Sequence, residues 1–221
     1  RLGPLAHGAM LAVGTAEQGP VPWRPALACL AELHCQGLEL GIAGCTTAIG
    51  SCRRGQQWHR ALRLFGVACS AGLRQDAMAL GAVVAACALE VAWRCALAAL
   101  AQGPAKGIEP SVVACSSAIT ACEKAVRWIS ALGLLACIRR QRLPLNVIGC
   151  SAAISACEKA LQWGWALALV ESMGCRTLLP NLISCSAAIL ACEGSLQWKA
   201  AAALLALVTR SQTEPSPTAY G

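Results

Sequence analysis

Trp23, Trp58, Trp93, Trp128, Trp163 and Trp198 stand 35 residues apart, with no insertion or deletion between them. Cys52, Cys87, Cys122, Cys157 and Cys192 keep the same step. The stretches "CSSAITACEKAVRW" from Cys115, "CSAAISACEKALQW" from Cys150 and "CSAAILACEGSLQW" from Cys185 show how much of each period is shared. A fixed period of this size marks a repeat array, in which each unit is one supersecondary element that stacks on its neighbours. Of the seven tryptophans only Trp165 stands outside the step.

Apolar residues inside a unit follow helical spacing. Val147, Cys150, Ile154 and Cys157 are separated by three, four and three residues, which places them on one stripe of a helix. A second stripe starts after "EKALQ" with Trp163, Leu167, Val170 and Met173. Pro180 then marks a turn, and Pro110, Pro144 and Pro215 fall at the same place or one residue away. The unit is thus a helical hairpin that cannot bury both its faces alone. Stacked hairpins bury them, so the expected fold is an all-α solenoid of about six two-helix repeats.

Fifteen cysteines invite a metal or redox reading. Metal sites favour close pairs such as C-x2-C with further ligands nearby, and the sequence contains no C-x2-C. Disulfide-dense folds are short and poor in other apolar residues, whereas 57% of this chain is hydrophobic. The cysteines are therefore read as small buried apolar residues in a reducing compartment. The repeated tryptophans are read as core as well. The uncharged run from Ala77 to Leu89 is shorter than the roughly 20 residues a spanning helix needs, so no membrane segment is expected. The N-terminal stretch lacks the pattern of a secretory signal. Because the chain opens on Arg1, it is read as a piece of something longer.

A two-helix repeat of 35 residues, with Ala166-Leu167 in the second helix and "PN" at Pro180-Asn181, resembles the pentatricopeptide repeat family in its P-type form. The cysteine- and tryptophan-bearing style is similar to repeats of dinoflagellates. In that register, units begin at Ile42, Ala77, Val112, Val147 and Leu182, so that five tandem repeats fill 42–216. Residues 1–41 form a degenerate first repeat, and 209–221 read as a disordered tail overlapping the last one. The resemblance implies a right-handed solenoid that binds single-stranded RNA along its concave face, one base per repeat. It also implies a role in RNA processing, stability or editing in mitochondria or plastids. The sequence departs from the family pattern at the fourth position of a unit, where Cys45, Cys115, Cys150 and Cys185 replace the usual aromatic residue.

The resemblance assigns base reading to the fifth and last residues of each unit. These are Thr46 with Asp76, Gly81 with Ser111, Ser116 with Asn146, Ser151 with Asn181, and Ser186 with Ser216. Elementary hydrogen-bond chemistry is consistent with the assignment. An ionised aspartate only accepts, which suits guanine or uracil, whereas asparagine donates and accepts, which suits adenine or cytosine. In the family Thr or Ser with Asp goes with guanine, and Ser with Asn goes with adenine. Carried over, the expected target is 5′-GNAAN-3′. The second residues, Ala43, Met78, Val113, Ile148 and Ile183, are expected to flank the bases, and Arg54, Lys124 and Lys159 to meet phosphates.

The net charge of +7, from 18 basic and 11 acidic residues, is compatible with an anionic partner. Nothing points to an enzyme. His7, His34 and His59 are scattered, and the H-x-E and C-x2-C of a zinc deaminase, which some larger family members carry, do not occur. No glycine-rich phosphate loop appears, so neither a cofactor nor a metal is expected. A helical scaffold for a protein or peptide partner, of tetratricopeptide type, is the alternative. Ser and Asn also cap helices well, so serine-rich reading positions are compatible with both.

Overall fold

The computed structural model describes residues 42–70, 76–90, 92–174 and 178–213. Among them are ten α-helices and no strand. The helices come in pairs: α1 (Ile42–Arg54) with α2 (Trp58–Ser70), α3 (Ala77–Leu89) with α4 (Trp93–Ala105), and α5 (Val112–Lys124) with α6 (Trp128–Arg140). They continue with α7 (Val147–Lys159) and α8 (Trp163–Gly174), then α9 (Leu182–Gly194) and α10 (Trp198–Thr213). The degenerate repeat expected over 1–41 lies outside the described residues.

Local chemistry sets both ends of the first helices. Asp76, Asn146 and Asn181 have extended backbone, and each side chain accepts from the N–H three residues on, in Ala79, Gly149 and Ser184. Ser111 does the same for Ala114 at 3.1 Å. Each of these side chains satisfies a backbone donor that the first turn leaves orphaned. At the other end Gln56, Val126, Leu161 and Leu196 take φ between 55° and 57°. The following N–H groups, of Gln57, Arg127, Gln162 and Gln197, return to the carbonyls of Cys52, Cys122, Cys157 and Cys192 at 2.8–2.9 Å. This is a Schellman closure, and the repeated cysteine is its acceptor. A β-branched residue such as Val126 is strained in the left-handed region, and the Arg127 N–H to Cys122 carbonyl bond closes the turn around it.

The described chain divides into two compact units, up to Ala121 and from Cys122. In the first, α1 packs on α2 and on α3, α2 on α3, and α3 on α4. In the second, α7 packs on α6, α8 and α9, and α9 packs on α8 and α10. A first helix is thus enclosed by its own partner and by the next first helix. In α3 the buried set, which includes Leu80, Val83, Val84, Ala86 and Cys87, runs nearly all the way round. In α4 only Ala96, Ala99, Leu100 and Gly103 are buried, the single stripe of a helix with one face to solvent. Gly103 allows close contact there, because a Cβ would lie 3.0 Å from Leu80 Cδ2 and 3.1 Å from the Ile108 carbonyl oxygen. The expected α-solenoid of helix pairs is the architecture found.

Two expectations about the core need correction. None of the described repeat tryptophans is buried: Trp58, Trp93 and Trp128 are half-buried, Trp163 is 37% exposed and Trp198 71%. Each opens a second helix, in α2, α4, α6 and α8 three residues before the first buried one, Ala61, Ala96, Ala131 or Ala166, and so stands at the open end of the stripe. The buried stripe of α8 is Ala166, Val170 and Met173, not Trp163 and Leu167. Small Ala166 lets the helices approach. Helix α10 continues to Thr213, five residues into the segment 209–221 expected to be a tail. No proline interrupts it before Pro215. Residues 214–221 lie outside the described residues.

Candidate nucleic-acid interface

The second residues of the first helices supply the clearest surface feature. Met78, Val113, Ile148 and Ile183 are 73%, 66%, 67% and 61% exposed. Four large apolar side chains at the second place of the first helices α3, α5, α7 and α9, all in solvent, are not explained by core packing. They stand in the first turn, beside the capping residues. The side chain of Ala43 lies outside the described residues.

The described last residues of the units, Asp76, Ser111, Asn146 and Asn181, cap the helices that follow them. Asp76 Oδ1 accepts from the Ala79 N–H at 2.8 Å, which leaves Oδ2 without a partner among the described residues. Asn146 Oδ1 accepts from Gly149 N–H at 2.9 Å, and Asn181 Oδ1 from Ser184 N–H at 2.8 Å. The capping bond identifies the oxygen of each amide, since only oxygen can accept, and therefore turns the Nδ2 donors to the other side. The capping expected from the sequence is thus realised in Asp76, Ser111, Asn146 and Asn181.

The fifth residues differ from one another. Ser116 is buried and donates to the Val112 carbonyl at 2.8 Å, with the Val113 carbonyl at 3.1 Å. Ser151 is buried, with the Val147 carbonyl at 2.7 Å and Asn181 Oδ1 at 3.2 Å. The structure therefore joins the predicted pair Ser151 and Asn181 directly. Gly81 and Ser111 are also close, since a Cβ on Gly81 would lie 3.9 Å from Ser111 Oγ. Ser116 belongs to the first compact unit and Asn146 to the second. Thr46 is half-buried, Ser186 is exposed and donates to the Ile183 carbonyl at 3.1 Å, and Ser216 lies outside the described residues.

Arg54, Lys124 and Lys159 end α1, α5 and α7, and all three are exposed. Arg54 donates to Ser51 Oγ at 3.2 Å, and Lys159 makes an ion pair with Glu123 at 2.9 Å. Gly194 occupies the matching place in α9, where a Cβ would come within 2.6 Å of Leu161 Cδ2. That atom is the end of the exposed Leu161 side chain, which can move aside. His59 is exposed, while His7 and His34 lie outside the described residues.

The cysteines of the period are buried, and burial raises their thiols: Cys87 to about 12, Cys122 and Cys157 to about 11. Such thiols stay protonated at neutral pH and are poor ligands and nucleophiles. Among the described residues no three His, Cys, Asp or Glu side chains gather to hold a metal, and no helix is long and apolar enough to cross a membrane.

Sequence reasoning missed Ser184. It is fully buried and touches both Asn181 and Ser151. The available signal was a hydroxyl at a position where the other units have Gly44, Ala79, Ala114 and Gly149.

No protein-family model and no curated protein matches the chain. Solved structures do. The pentatricopeptide repeat protein PPR10 from maize matches with a TM-score of 0.66 at 22% identity, covering 98% of this chain and 30% of the maize chain. The fold is that of the pentatricopeptide repeat. The same maize protein in complex with an 18-nt psaJ RNA element matches at 0.65 and 19% identity, over 97% of this chain and 29% of that one. The pentatricopeptide-repeat domain of Arabidopsis thaliana protein-only RNase P 1, in complex with tRNA, matches at 0.65 and 11% identity, over 77% of this chain and 90% of the domain. The chain thus spans about 30% of the length of the maize protein whose fold it shares. The resemblance read from the period therefore extends to the arrangement of the helix pairs.

Proposed function

We propose that this chain binds single-stranded RNA, with one base at each pentatricopeptide-repeat unit. The observation that carries the reading is the exposure of Met78, Val113, Ile148 and Ile183, each the second residue of a first helix, beside Asp76 and Asn181, whose caps use one side-chain oxygen each. Apolar side chains cover the faces of a base, and the other polar atom of the capping side chain meets its hydrogen-bonding groups. Asp76 Oδ2 offers an acceptor, fitted to guanine N1–H and N2–H2. Asn146 and Asn181 offer Nδ2 donors, fitted to adenine N1. The fold neighbours that carry RNA support the same partner. The proposed target is 5′-GNAAN-3′, and the proposed setting is RNA processing, stability or editing in mitochondria or plastids.

The test is a titration of the chain with labelled GUAAU RNA and with GUCCU. The expected result is a several-fold preference for GUAAU that disappears in the double variant Asn146→Ser, Asn181→Ser. Ser111 shows that serine caps the same position, so this variant keeps its helix starts, and circular dichroism checks that losing the Asn181 contacts with Ser151 and Ser184 leaves it folded. Equal, salt-sensitive binding to both RNAs would reduce the function to nonspecific affinity. No binding at low salt by a helical, folded chain would favour the scaffold for a protein partner.

A further inference from the structure

Between Glu123 and Glu158 the sequence has five basic residues and no acidic one, a local excess of positive charge in one stretch of the array. Lys124 and Arg127 flank the turn before α6, and Arg139, Arg140 and Arg142 cluster around its C-terminus. All three arginines of the cluster are exposed, and none makes an ion pair or a side-chain hydrogen bond among the described residues. The turn that carries them is closed. The Gln141 N–H returns to the Cys137 carbonyl at 3.0 Å, and the Leu143 N–H to the Ile138 carbonyl at 3.1 Å. Arg142 takes φ 55° in this closure, a region where glycine is at ease and other residues are strained. The matching turn after α4 is closed by the Ile108 N–H on the Gly103 carbonyl at 2.9 Å, and there Gly107 holds the place with φ 70°. Helix carbonyl dipoles favour cations in the last turn, which accounts for Arg139 and Arg140. They do not account for a cation at the strained position beyond it.

We propose that Arg139, Arg140 and Arg142 form a phosphate-binding site for the RNA backbone at the entry to repeat 147–181, separate from the cations that end the first helices. The link from Arg142 to Asn146 is four residues of non-helical chain, at most about 14 Å long. The three guanidinium groups therefore share a rim with Asn146 and the exposed Ile148 at the start of α7. Lys159 ends the same helix of 13 residues, about 20 Å away on the opposite rim. A strand whose base lies at Asn146 and Ile148 thus has cations on both sides. Guanidinium forks take phosphate oxygens in pairs, and they remain charged at any working pH. Each phosphate held here steepens the salt dependence of binding by roughly 0.7, beyond what Arg54, Lys124 and Lys159 supply. This inference rests on the RNA-binding function proposed above.

The experiment measures Kd for GUAAU and GUCCU over a range of salt concentrations. It compares the unaltered chain with Arg142→Gly and with the triple variant Arg139→Gln, Arg140→Gln, Arg142→Gln. Gly107 shows that glycine fits the turn. Arg142→Gly is therefore expected to unfold at the same or a higher urea concentration and yet to bind RNA severalfold more weakly at low salt. A purely structural role for the arginine would lower the urea midpoint and leave the salt slope alone. In the triple variant the slope of log Kd against log salt is expected to shrink by between about 0.7 and about 2, for one to three phosphates released. Both RNAs should weaken alike, so that their ratio stays put. A second triple variant, Arg63→Gln, Arg94→Gln, Lys199→Gln, removes the same charge from exposed places on other second helices and is expected to change the slope little. Equal losses in the two triple variants would reduce the effect to net charge and overturn the site. An unchanged slope beside an intact preference for GUAAU overturns it too, and leaves base reading standing. An unaltered chain that binds neither RNA overturns RNA binding and this inference with it.

Discussion

At the residue scale the repeated cysteine performs two tasks that share one location. Its carbonyl closes the first helix, and its side chain fills the core under that closure. The thiol must then stay protonated, because burial in an apolar seam disfavours the thiolate. Burial raises Cys87, Cys122 and Cys157 from an ordinary value of 9.0 to between about 11 and about 12. A group whose folded value is raised contributes stability that is fully present below its unfolded value and lost as pH rises toward the folded one. The midpoint of urea unfolding, followed by circular dichroism, is therefore expected to be flat with respect to these thiols up to about pH 9 and to fall through pH 11. The double variant Cys122→Ala, Cys157→Ala starts from a lower midpoint but loses less of it over the same interval. An alkaline slope identical in both chains would show that the buried thiols do not contribute.

At the scale of the element, what was legible in the sequence was whatever depends on local chemistry. The helix starts follow from Asp76, Ser111, Asn146 and Asn181, and the stripe Cys150, Ile154 and Cys157 follows from helical periodicity. Which side of a second helix is covered depends on neighbours, so Ala166 could not be told from Leu167, one residue and about 100° away. The link from Ser151 to Ser184 spans 33 residues and left no mark in either helix alone. The exposure of Met78, Val113, Ile148 and Ile183 agrees with the base-flanking place the resemblance gave them, although apolar periodicity alone would read them as core. The α3 element offers a direct check of the reading register. A Cβ on Gly81 meets only Ser111 Oγ, at an ordinary 3.9 Å, and Asn caps as Ser111 does. The double variant Gly81→Ser, Ser111→Asn should therefore remain folded and convert the indifferent second base of the target to adenine. Affinity for GAAAU relative to GCAAU is the quantity to measure, expected to rise several-fold. No change in that ratio would place the reading positions elsewhere.

At the scale of the whole molecule, the question is how a chain with a net charge of +7 holds a polyanion. On the proposed function, phosphate contacts by Arg54, Lys124 and Lys159 predict a salt slope of about −2, since a single strand contributes roughly −0.7 for each phosphate neutralised. One of them is restrained. Glu123 holds the Lys159 ammonium at 2.9 Å, and it adds a negative charge next to Lys124, where a phosphate would pass. The lysine side chain is 40% exposed and the pair lies at the surface, where such pairs are worth about 0–1 kcal/mol. Glu123→Gln should therefore cost little stability, release Lys159 and remove a repulsive charge. The expected outcome is severalfold tighter RNA binding at low salt and a steeper dependence of log Kd on log salt, by up to about 0.7. The gain should shrink as salt screens the charges, over a Debye length of about 10 Å at 0.1 M. Because the effect is electrostatic, it should apply equally to GUAAU and GUCCU, which separates it from every base-reading variant. An affinity that does not change at any salt concentration would mean that the RNA does not pass the end of α7, and that the phosphates follow other basic residues of the chain.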